Sequence, residues 1–99
     1  MQAHYPPSFD REMGCTEAEW LMWLPAAAGE GPLHLATGHA EVSIDAGRLL
    51  LDWETLSPRV IALVRMPRLT VRFRFEGLTD ERRYTFMRRF DLYMQRGGG

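Results

Sequence analysis

The chain predicts an α+β fold: a short N-terminal helix, an antiparallel meander of about five strands, and a C-terminal amphipathic helix packed on one sheet face. Three observations carry this expectation. A capping-box pattern opens an apolar run at Thr16. Apolar residues then recur with a period of two, between turn signals, from Leu33 to Glu76. A stripe of helical period follows Thr79. No helical pattern separates the strands, so each connection is a tight turn and neighbouring strands run antiparallel.

Residues 1–14 carry Pro6, Pro7 and no sustained apolar period, and are expected to form an irregular arm with Tyr5 and Phe9 as anchors. At Thr16-Glu-Ala-Glu19, threonine and glutamate three apart can each satisfy a backbone amide left unpaired by the first helical turn. The run Trp20-Leu-Met-Trp-Leu24 follows, and Pro25 is expected to stop the helix. So short a helix needs tertiary packing to hold it. Its five consecutive apolar residues reach most of its circumference, which wedges it between layers or leaves part exposed to a partner.

Beyond the glycine-bearing stretch 26–31, alternation predicts strands around Leu33–Ala36, Val42–Ile44 and Leu49–Trp53, with Asp45-Ala-Gly47 as a turn. Ser57-Pro58 reads as a break. Val60–Val64, apolar throughout, reads as a central strand, and Met66-Pro67 as the next turn. Arg68–Glu76 is the clearest strand. Leu69, Val71, Phe73 and Phe75 point to one face, and Arg68, Thr70, Arg72 and Arg74 to the other. Gly77 ends it, and Thr79 caps a helix whose Phe86, Met87, Phe90, Tyr93 and Met94 share one stripe. Residues 15–96 thus make one domain, and Gly97-Gly-Gly99 a flexible tail.

All twelve basic residues are arginine, and their distribution is uneven. Through Glu54 there are nine carboxylates against two arginines; from Thr55 onward there are ten arginines against four carboxylates. A net charge of −1 therefore conceals a polarised chain, which either closes on itself in ion pairs or offers a cationic surface to an anionic partner. Arginine without lysine is also the bias of a GC-rich, bacterial-like genome. With 45% hydrophobic residues the composition is that of an ordinary globular protein. The longest apolar runs are a few residues, so neither a secretory leader nor a membrane span is expected. The single Cys15 excludes an internal disulfide and fits a reducing, cytoplasmic location.

No residue pattern announces a reaction. Cys15 and the three histidines show neither nucleophile–base nor zinc-ligand spacing, and no phosphate-binding or dinucleotide motif occurs. No catalytic residue, metal or cofactor is expected. The candidate binding residues are Trp20 and Trp23, as apolar anchors, and Arg72, Arg74, Arg82 and Arg89, as charge complements. They favour a non-catalytic protein-interaction module whose partner is another protein or a second copy of the chain. The alternative is nucleic-acid binding through the arginine-rich half. Against it, Phe73 and Phe75 point away from the arginines, whereas single-stranded RNA platforms stack bases on aromatics of the open sheet face.

Overall fold

The computed structural model describes residues 4–96, and the tail expected at Gly97-Gly-Gly99 lies outside the described residues. The elements run β1 (Ser8–Met13), α1 (Glu17–Ala28), β2 (Leu33–Ala36), β3 (His39–Ile44), β4 (Gly47–Ile61), β5 (Val64–Glu76) and α2 (Asp80–Arg96). One antiparallel five-stranded sheet has the order β1-β5-β4-β3-β2. Strands β2 to β5 form a meander, while β1 sits at the far edge against β5 and α1 carries the chain back across the sheet to β2.

Both helices cover one face. Phe90 of α2 meets Phe73 edge-on at 5.5 Å, Phe86 meets Phe75 at 5.9 Å, and Trp20 of α1 meets Trp53 at 5.6 Å and Phe90 at 6.1 Å. Leu69, Val71, Phe73 and Phe75 are buried together with Leu49, Leu51 and Trp53 of β4. The alternation of β5 therefore decides the layer order, with apolar side chains toward the helices and arginines away from them. Thr79 caps α2 as its position implies, accepting from the Arg82 amide at 3.1 Å.

Four details differ from the sequence reading. The segment expected to be an irregular arm contains β1, whose Asp10 lies opposite Arg72 and Met13 opposite Leu69. Phe9, Arg11 and Met13 alternate with Ser8, Asp10 and Glu12, but an arginine on the inward side hid the period. Second, α1 continues through Pro25 to Ala28. The carbonyl that Pro25 deprives of its helical donor is that of Leu21, whose residue lies on the exposed side of the helix. The capping box at Thr16 is formed, with Glu19 returning to the Thr16 amide at 2.9 Å.

Third, Ser57-Pro58 and Met66-Pro67 are not turns. Pro58 lies in a register shift between Leu56 and Arg59, and Pro67 lies across from it in β5. A bulge absorbs the missing ladder donors without ending either strand. Fourth, Val60–Val64 is not a central strand. It is the end of the β4–β5 hairpin, with Ala62-Leu63 as its two-residue loop. The strand count of five survives because β1 replaces the strand expected there.

Candidate interaction surfaces

The open face of the sheet is a lattice of opposed charges. Register brings Asp10 and Asp52 to either side of Arg72, and Ser8 and Leu50 to either side of Arg74. Arg72 donates to Asp10 at 3.0 Å, Arg74 lies 3.6 Å from Asp52, and Arg48 bonds Glu76 at 2.7 Å and reaches Glu41 at 3.5 Å. Arg68 bonds Glu12 at 2.8 Å, and His39 contacts Asp52 at 2.7 Å. The Glu76 and Asp10 carboxylates raise the pKa of Arg48 and Arg72, first by hydrogen bonding and then by charge. Such solvated pairs add little stability each. Together they cancel the field an arginine row would otherwise project. Leu50 is buried on this charged face, where the long arginine stems reach over apolar surface.

Three arginines of α2 are also engaged. Arg82 donates to Asp45 at 2.7 Å. Arg89 donates to the Ala26 carbonyl at 3.1 Å, near the C-terminus of α1, and stacks 4.4 Å from the centre of the Tyr93 ring. Arg83, in the apolar stripe, is buried and satisfied by the Tyr5 and Leu78 carbonyls, both at 2.9 Å, and by Asp80. Asp91, placed by helical spacing near Arg88, instead binds Arg11 of β1 at 2.5 and 3.0 Å and Tyr5 at 3.0 Å.

The tryptophans differ from each other. Trp20 is fully buried between Trp53 and Phe90, so it cannot anchor a partner; that expectation is corrected by its place in the core. Trp23 is half-buried against the same core. The six candidate residues thus form no single site: Arg72 and Arg74 stand together on the open sheet face, Arg82 and Arg89 line one cleft beside the end of α1, Trp23 lies on α1 and Trp20 in the core. Cys15 is buried, and burial first, then the Glu19 charge, raise its pKa, which keeps it a thiol rather than a thiolate nucleophile.

The surface missed by the sequence reading is the end of the β4–β5 hairpin. Strand β1 pairs along β5 only as far as Leu69, and β3 along β4 only as far as Asp52. Beyond those points β4 and β5 continue as a two-stranded arm, and the molecule is accordingly long, 46 × 30 × 22 Å. Val60 (58% exposed), Ile61 (58%), Leu63 (99%), Val64 (59%) and Met66 (46%) all face water. Cross-strand pairing puts Arg59, Met66, Ile61 and Val64 on one side and Val60 with Arg65 on the other. The root is tied down by Arg59 and Arg68, which reach Glu12 at 3.4 and 2.8 Å, and by Arg68 donating to the Ser57 carbonyl at 2.9 Å. The signal in the sequence was an apolar run flanked by arginine and proline on both sides. That pattern is shared by a buried central strand and a bare hairpin end.

No protein-family model matches the chain, and no curated protein matches it either. Among the described residues, no helix is long and apolar enough to cross a membrane.

Proposed function

We propose that the protein is a non-catalytic protein-interaction module whose working element is the β4–β5 arm. The observation that carries this reading is the exposure of five large apolar side chains on one projecting hairpin. Ile61, Val64 and Met66 on one side of the two-stranded arm, Val60 on the other and Leu63 at its tip have no core to cover and are costly to leave in water. Its mode of docking follows from its prolines. Pro58 on β4, Pro67 on β5 and the adjacent bulge blunt the exposed edges, so the arm is poorly suited to accept an added strand. It engages through its side chains, Leu63 and Val64 foremost, with Arg59 and Arg65 as the polar rim.

Trp23, Arg72, Arg74, Arg82 and Arg89 enter this reading as supports: the arginines hold sheet, helices and loops together through the contacts above. The neutralised open face favours a protein over a polyanion. A buried, protonated Cys15 suits a reducing cytoplasm. The test is a photo-activated cross-linking residue at position 63 of the full chain, with position 88 on the outer face of α2 as control, irradiated in cells. Discrete polypeptide adducts from position 63 alone are expected. Nucleic-acid adducts, or equal yields from both positions, contradict the reading.

A further inference from the structure

We propose that the occupant of the arm is a second copy of this chain, with each arm seated on the outer face of the partner's α1. This rests on the reading of the arm as the working element. Helix α1 is apolar almost all round. Trp20, Leu24, Ala27 and Ala28 face the core, while Leu21 (37% exposed) and Met22 (68%) face water beside the exposed Pro25 and Ala26. A surface helix ordinarily turns charge outward. This one keeps a second apolar side that its own fold does not cover.

The two uncovered surfaces account for seven of the nine large hydrophobic side chains that are exposed among the described residues. Their charges are opposite. Helix α1 carries Glu17 and Glu19 in its first turn, with Glu30 just beyond its end, and residues 12–47 contain no arginine, although Arg89 of α2 reaches the Ala26 carbonyl at the far end of the helix. Residues 55–75 include Arg59, Arg65 and Arg68 of the arm and contain no carboxylate. Arg59 and Arg68 share Glu12, whereas Arg65 has no ion pair among the described residues. An arm against α1 therefore joins apolar to apolar and cation to anion. The dimensions agree. From Leu56 to the Ala62 loop the arm extends about 20 Å at about 3.3 Å per residue, and the helix is about 18 Å long at about 1.5 Å per residue.

Placement makes the exchange reciprocal. Trp53, at the root of the arm, donates its indole N–H to Glu17 at the N-terminus of α1 at 2.7 Å, so root and seat are neighbours within one chain. Around a two-fold axis near that point, one arm crosses to the partner's helix as the partner's arm returns. A single self-complementary contact, made twice, then closes the assembly and leaves no apolar arm to propagate it.

Sedimentation equilibrium of the full chain tests this, with Leu63→Glu on the arm and Met22→Glu on α1. Both side chains are exposed, and unchanged far-ultraviolet circular dichroism confirms that the variants fold. The expected result is a dimer weakened by salt and weakened at least about tenfold by either substitution. Mixing the two variants restores association, because one arm and one seat remain intact in the mixed pair. A wild-type monomer at about 100 μM and low salt overturns the second copy as occupant, while the cross-linking from position 63 still decides the role of the arm. A dimer indifferent to Leu63→Glu likewise overturns the second copy as the arm's occupant and leaves the role of the arm to the cross-linking. A dimer sensitive to Leu63→Glu but not to Met22→Glu, or a mixture no more associated than its components, leaves the arm in place and removes α1 as its seat.

Discussion

Arg11 binds the edge strand to the final helix. Its guanidinium lies 5.6–5.7 Å from the ring centres of Tyr5, Phe9 and Phe73, and it grips Asp91, which also accepts from Tyr5. Burial alone lowers its pKa, but the Asp91 hydrogen bond and charge outweigh this and raise it, so Arg11 stays charged. Burial, then the Asp91 hydrogen bond, raise Tyr5 above its ordinary value of 10.0, as burial raises Cys15 above 9.0. In both groups the folded state favours the neutral form. Above the ordinary value the unfolded chain ionises first, so the stability these groups contribute is complete below it and is lost as pH rises through the raised value. Melting temperature should therefore fall as pH rises above the ordinary values of 9.0 and 10.0, and less steeply in Tyr5→Phe. A flat profile, or one unchanged by Tyr5→Phe, contradicts the role given to that hydroxyl. None of this contact was legible in the sequence. Asp91 has Arg88 three residues away, and only β1 docking beside α2 brings Arg11 closer.

At the scale of elements, local patterns survived where one segment decides its own conformation. The Thr16 box, the Thr79 cap and the alternation of Arg68–Glu76 are of this kind, since their partners lie within a few residues or one pleat. They failed where pairing decides. Pro58 and Pro67 are tolerated inside long strands because they share one irregularity, and neither proline reveals the other alone. Whether Val60–Val64 is buried depends on where β1 and β3 end, which is written elsewhere in the chain. Its loop has a conformational cost as well: Ala62 has φ 55°, in the left-handed region where a side chain costs about 1–2 kcal/mol. Gly there gains flexibility in the unfolded chain worth roughly 0.4–1 kcal/mol, which offsets part of the relief. Ala62→Gly should raise the denaturant midpoint modestly, by roughly 0.5 kcal/mol in stability. A lowered midpoint shows that the loop prefers alanine and that its strain is illusory.

For the whole molecule, the polarised charge of the sequence resolves into strand order. The acidic N-terminal segment becomes β1, the neighbour of β5, and Asp10 and Glu12 meet Arg72 and Arg68 because of that placement. Alternation alone foretold that the arginines share a face; which acids oppose them required the topology. With the charges of the sheet paired, most of the exposed large apolar side chains among the described residues lie on the arm and the outer side of α1, and the arm projects beyond the packed layers. It should therefore be dispensable for folding and required for association. Replacing residues 57–67 by Asn-Gly joins Leu56 directly to Arg68, its cross-strand partner, through the two-residue turn that twisted hairpins favour. Light scattering of full and shortened chains at matched concentration, alongside their circular dichroism, measures both halves of that claim. Two folded proteins are expected, of which the full chain alone forms dimers. A shortened chain that unfolds, or that associates as the full one does, contradicts it.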